Sequence, residues 1–146
     1  MITSACLVPP LFPSSTKGMS PSQKAGIAFE KSVMRALSRS FPDLRSALRD
    51  PPWISYVTGG AKKYALPDGV VPSCGLLIEC KLTRVLGTSV EEKLASLYEP
   101  ICDLIWPQAA GWRKIIIMKY WKGPQVPLLA RVEDAPLGVS YMIWRP

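Results

Sequence analysis

Asp68, Glu79 and Lys81 are the residues of this chain whose types and spacing could do chemistry together. They lie in PDGVVPSCGLLIECK, residues 67–81. Side chains along a strand alternate between faces. In LLIECKL, Leu76, Ile78, Cys80 and Leu82 therefore share one apolar face, while Leu77, Glu79 and Lys81 share the other. The stretch PSCG at 72–75 carries turn residues, with Gly75 at the fourth position that favours glycine. A hairpin closing symmetrically about Ser73 and Cys74 sets Asp68 directly opposite Glu79, with Cβ atoms roughly 4.5–5.5 Å apart. Two carboxylates so placed repel unless a proton or a cation lies between them. A hard divalent cation held by oxygen ligands suits the pair, with Mg²⁺ the first choice. Such an ion acidifies water and neutralises charge on a phosphate. The Lys81 ammonium, on the same face, would orient the water and stabilise the developing charge, or act as a base if desolvated. The competing reading is a Glu79–Lys81 ion pair on the solvent side of a half-exposed strand.

Composition narrows the partners and the chemistry. The chain has 146 residues, 48% of them apolar, which is enough for one domain with a core. A formal net charge of +7 suits a polyanionic partner such as nucleic acid. There is no histidine, which excludes histidine-based nucleases and Ser-His-Asp hydrolysis. Cys6, Cys74, Cys80 and Cys102 form no C-x-x-C pair, which argues against zinc. They read as reduced, buried small apolar residues of an intracellular, cytoplasmic protein. No apolar run approaches a membrane span, so no membrane partner is expected. Residues 1–21, rich in Pro and Ser, read as a flexible arm rather than a signal peptide. Residues 22–146 read as a single domain.

Helical spacing of Phe29, Val33, Ala36 and Leu37 predicts a first helix opening at Pro21 or Ser22 and ending at Pro42. WISYVT (53–58) reads as a strand, GGAKK (59–63) as a basic turn, YALPDGVV (64–71) as a second strand and GLLIECKLT (75–83) as a third. Residues 87–107 predict a second helix, with a Ser89/Glu92 capping box and a kink or break at Pro100. WRKIIIMKYW (112–121), VPLLARV (126–132) and GVSYMIW (138–144) predict further strands, the last at an edge. The order is that of an α/β sandwich with a mixed central sheet flanked by helices.

Pro67–Asp68 followed by Glu79–Cys80–Lys81 after ten intervening residues resembles the signature of the PD-(D/E)xK (restriction-endonuclease-like) phosphodiesterase superfamily. The chain carries a second P-D at Pro42–Asp43 and a second E-x-K at Glu91–Lys93, but the first follows a helix end. The second falls in a first helical turn, where acids serve the helix dipole. The resemblance implies an αβββαβ core and metal ligation by Asp68, Glu79 and the Cys80 backbone carbonyl. Glu30, on a helical stripe with Gly26, Val33 and Leu37, would join them as a further ligand, directly or through water. Glu30, Asp68, Glu79 and Lys81 would be the catalytic set, with Mn²⁺ a substitute for Mg²⁺. KAGIAFEKSVMRAL, the basic turn and the two motifs are similar to the archaeal-type Holliday junction resolvases. That likeness implies a homodimeric, metal-dependent endonuclease acting on branched DNA. Lys31, Arg35 and Arg39 recur every fourth residue and would track phosphates. Lys62 and Lys63, beside Gly59 and Gly60, and Lys93 on the second helix are further candidate DNA contacts. The chain departs from the pattern in three places: a longer loop between Leu37 and Trp53, Leu94 where exonuclease-like relatives carry Gln before Tyr98, and a C-terminal PLGVSYMIWRP without a counterpart. A restriction or repair nuclease and a non-catalytic nucleic-acid-binding module are the alternative readings.

Overall fold

The computed structural model describes residues 1–11, 17–82, 88–109, 111–119 and 138–144. The chain is mixed α/β with two sheets. Helix α1 (Pro21–Ser40) starts at Ser20, whose hydroxyl accepts from the Gln23 amide while the Gln23 side chain accepts from the Ser20 amide. This reciprocal cap satisfies two of the free N–H groups at the helix start. A 3₁₀ turn (Pro42–Leu44) leads into the short α2 (Arg45–Arg49), so the segment that reads as a long loop holds a second helix.

The first sheet is antiparallel, in the order β1–β2–β3: Ile2–Val8, Trp53–Thr58 and Ala61–Ala65. The expected flexible arm is thus corrected over residues 2–8. That segment pairs with the full length of β2, which supplies the free edge its backbone groups need. The expected five-residue basic turn is also corrected. Thr58 pairs with Ala61, leaving only Gly59 and Gly60 in the turn, both at positive φ as a tight hairpin requires. Lys62 and Lys63 therefore belong to β3.

The predicted strand 64–71 is divided between the sheets. β3 ends at Ala65, Pro67 supplies no backbone donor, and β4 (Gly69–Val71) begins the second sheet. That sheet has the order β4–β5–β6–β7, with β5 at Leu76–Lys81, β6 at Arg113–Lys119 and β7 at Val139–Trp144. β4 runs antiparallel to β5; β6 and β7 run parallel to it and to each other. β7 is the last described strand of this sheet, as expected. The candidate strand at 126–132 and the two residues after Lys119 lie outside the described residues.

The crossover from β5 to β6 carries α3 (Thr88–Lys93), a π-helical turn (Leu94–Tyr98) and α4 (Glu99–Ile105). Pro100 lies at the start of α4 and has no N–H for a bond four residues back. The Glu99 amide instead reaches Leu94 O, five residues back. The expected break is therefore a π turn. Ser89 lies inside α3 rather than capping it.

One apolar cluster joins this crossover (Leu94, Tyr98, Ile101) to Leu77, Ile116 and Tyr141 of the second sheet and to Ile54 and Tyr56 of the first. The other lies on the opposite face, where Phe29, Val33 and Met34 of α1 and Leu48 of α2 cover Val71, Ile78 and Ile117. Both faces of β5 are thus covered, including the one that carries Glu79. Polar ties fix the crossover to the sheet: Tyr141 donates to Glu91, Lys114 pairs with Glu99, and Trp112 Nε1 donates to Asp103 Oδ1 at 2.8 Å.

Gly69 sets how closely β4 meets α1. A Cβ there would lie 3.1 Å from Met34 Cε and 3.2 Å from Ile78 Cβ. A larger side chain must displace the Met34 side chain and crowd Ile78. We expect Gly69→Val to cost ~1–3 kcal/mol in denaturant unfolding, with Gly69→Ala intermediate; an unchanged midpoint for both would contradict this packing.

Candidate functional site

The β4–β5 ladder pairs Gly69 with Ile78, Val70 with Leu77 and Val71 with Leu76. This is the register read from the sequence. The turn that sets it has the Cys74 and Gly75 amides donating to Val71 O and Pro72 O, with Gly75 at φ 64°. One step further, the register brings Asp68 beside Glu79, and two steps further it brings Pro67 opposite Cys80. Pro67 has no N–H to offer the Cys80 carbonyl, and the chain leaves the sheet there, which takes its own carbonyl out of the ladder. The Cys80 amide is met instead by the Asp68 carboxylate, with Oδ2 accepting at 2.7 Å. Asp68 lies just before β4 rather than on a strand, so its side chain turns back along the sheet edge. In a strand the C=O of a residue points to the same side as its N–H. The Cys80 carbonyl is thereby directed to the edge that Asp68 occupies.

Glu30, Asp68, Glu79, Cys80 and Lys81 line one pocket of about 360 Å³, with the start of α1 forming its other wall. The four residues expected to be catalytic thus come together from three elements: α1, the segment before β4, and β5. Glu79 is buried on the face of β5 turned toward the crossover. Its Oε1 lies 3.5 Å from Lys81 Nζ and 3.3 Å from Lys93 Nζ. Lys93 Nζ also stands 4.9 Å from the centre of the Tyr98 ring. Glu79 Oε2 is buried with no hydrogen-bond partner among the described residues. A buried carboxylate oxygen left in that state is costly.

Electrostatics follow from this crowding. Burial, then the charges of Glu79 and Glu30, push the Asp68 carboxyl up to about 8; its bond from the Cys80 amide opposes the shift. Burial also raises Glu30. The contact between the two carboxyls adds to the rise of Asp68 and opposes that of Glu30. Three carboxylates therefore share a proton and two ammonium groups. Burial and the neighbouring carboxylates raise the Cys80 thiol as well, so it stays protonated and only the backbone of Cys80 is available to a cation.

Among the described residues no group of three or more Asp, Glu, Cys or His side chains is placed to hold a metal ion. The donor types by themselves suit a hard cation. The set is all oxygen, it is anionic, and one buried oxygen lacks a partner. Glu79 Oε2, Asp68, the Cys80 carbonyl and Glu30 are the groups that would hold it.

The other candidates divide. Lys93 reaches the site, but through Glu79 rather than toward a substrate. Lys31, Arg35 and Arg39 line a separate groove that begins one residue from Glu30. Lys62 and Lys63 are exposed on β3 and line no part of the carboxylate pocket; Lys62 lies against Tyr64, 5.7 Å from its ring centre. The reading of the sequence missed Arg45 and Arg49, whose four-residue spacing in RSALR was the available signal. Comparison with protein-family models, curated proteins and solved structures finds no match to this chain.

Asp68 binds its proton more tightly folded than unfolded, where its pKa is near 3.8. The folded state thus holds more protons between pH 4 and pH 8, and stability falls as pH rises through that window. Asp68→Asn stays neutral, accepts from the Cys80 amide and donates to Glu30. In EDTA it should gain on wild type across pH 4–8 and level off above, reaching on the order of 2–4 kcal/mol. Urea unfolding across this range checks the expectation; a pH-independent difference would contradict it.

Proposed function

We propose that this chain is a divalent-cation-dependent endonuclease hydrolysing DNA phosphodiesters, built on a restriction-endonuclease-like core with its strands divided between two sheets. The observation that carries the reading is the end of the β4–β5 ladder, where Asp68 takes the Cys80 amide and Glu79 Oε2 is left buried and unpartnered beside Lys81. A strand pair gains nothing in stability from burying two carboxylates there, and a third from α1 adds to the cost. A cation with a phosphate as its further ligand offsets that cost.

A bound Mg²⁺ or Mn²⁺ would supply charge neutralisation at the phosphate and acidify the attacking water. Asp68, Glu79 and Glu30 would hold the cation, and its charge would favour the ionised form of Asp68. Lys81 is about one-third exposed at the mouth of the pocket. Its ammonium orients the attacking water and stabilises the negative charge that gathers on the phosphate oxygens. Lys93, held against Tyr98, pairs with Glu79 Oε1 and leaves Oε2 without a partner. Glu30 completes the anionic wall from α1.

The likeness of its motifs to junction resolvases makes branched DNA the first substrate to test, and a homodimer would present two such sites to two strands. The assay is a gel comparison of four-way junction, linear duplex and single-stranded DNA, with Mg²⁺ or EDTA. Wild type should cut only with Mg²⁺, and Asp68→Asn, Glu79→Gln and Lys81→Ala should each lose about 10²-fold or more. Paired cuts confined to the junction would identify a resolvase, whereas cuts in linear DNA would indicate a restriction or repair type. Full activity in any one variant would remove that residue from the site. Binding without cutting would leave a nucleic-acid-binding module.

A further inference from the structure

α1 and α2 together form a groove of about 450 Å³ outside the carboxylate pocket. Lys31, Arg35 and Arg39 line it from α1, and Arg45 and Arg49 line it from α2. Its floor is apolar, made by Met34 and Leu48, both buried. All five cations are exposed. No acidic side chain lines the groove, and among the described residues none of the five lies within ion-pair distance of a carboxylate. Five like charges facing one concavity repel each other, so the arrangement favours an anion that can meet several of them at once.

Spacing selects the anion. Lys31 to Arg39 covers eight residues of helix, a rise of ~12 Å. Over that length one strand of a duplex carries three or four phosphates. Arg35, Arg39, Arg45 and Arg49 present planar guanidinium forks suited to phosphate oxygens. Both sites draw on α1: Lys31 of the groove follows Glu30 of the carboxylate pocket along the helix. A backbone seated in the groove would lie next to the carboxylates.

We propose that the α1–α2 groove is the DNA-binding track of this protein, seating the phosphodiester backbone of a duplex on Lys31, Arg35, Arg39, Arg45 and Arg49 and leading it to the Glu30–Asp68–Glu79 pocket. This deepens the nuclease reading and rests on it for direction, but binding is measured apart from cutting.

The test is fluorescence anisotropy of the full chain with a labelled duplex of about 20 base pairs, in EDTA and over a series of salt concentrations. Five phosphate contacts give a slope of log affinity on log salt of about −4 to −5. Arg45→Ala/Arg49→Ala should weaken binding ~10–50-fold near physiological salt and make the slope shallower by about 2. Arg35→Gln/Arg39→Gln, on the opposite wall, should do the same, with circular dichroism confirming that both fold. Arg113→Ala, on β6 and outside the groove, should change affinity less than about 2-fold. Wild-type affinity and slope in both folded double variants would overturn the track and leave the nuclease reading standing. Groove-dependent binding by a protein that never cuts would uphold the track and remove the nuclease reading. Groove-dependent capture on phosphatidylserine vesicles, without duplex binding, would overturn the proposal in favour of a membrane surface.

Discussion

Everything at the candidate site depends on where one antiparallel ladder stops. β4 and β5 pair for three residues, and then Pro67 falls where a donor to the Cys80 carbonyl would be needed. A proline cannot supply that donor, the chain leaves the sheet, and the Asp68 carboxylate takes the part of a backbone carbonyl by accepting from the Cys80 amide at 2.7 Å. That bond leaves the strand end lined by carboxylates. It anchors Asp68 by one oxygen and holds it beside Glu79. It also directs the Cys80 carbonyl to the same side. α1, whose Met34 packs against Gly69, brings Glu30 to the same pocket.

The rest of the fold can be understood as support for that edge. β5 is covered on both faces, so Glu79 is buried although it is charged. Its partners come from its own strand, Lys81, and from the crossover, Lys93. The crossover is held to β6 and β7 by Glu91–Tyr141, Glu99–Lys114 and Asp103–Trp112. The π turn that Pro100 accompanies carries Tyr98, against whose ring Lys93 rests. An irregularity in the helix thus helps to place a cation beside a buried carboxylate, a common use of π turns.

Much of this was legible in the sequence because it rests on short-range rules. Alternation along LLIECKL assigned the two faces of β5, and the turn chemistry of PSCG fixed the register that brings Asp68 beside Glu79. Helical spacing located α1 with Glu30 on it, and Pro100 marked the break in the crossover. What was not legible depends on partners distant in the chain. Residues 2–8 have the composition of an arm, and only the free edge of β2 makes them a strand. Pro67–Asp68–Gly69 in YALPDGVV marks a break, but only pairing with distant strands sends the two halves to different sheets. The groove between α1 and α2 likewise needs two helices brought together, although the spacing of Arg45 and Arg49 was visible.

The central claim is that the Glu30–Asp68–Glu79 cluster holds a proton and a vacant carboxylate oxygen where a divalent cation belongs. The most direct measurement is calorimetric titration of Mn²⁺ into the full chain at neutral pH, in buffers of different ionisation enthalpy. The account predicts one site per chain, release of about one proton on binding as the cation displaces it from Asp68, and loss of binding in Glu79→Gln. No binding by wild type, or binding unchanged in Glu79→Gln, would contradict it.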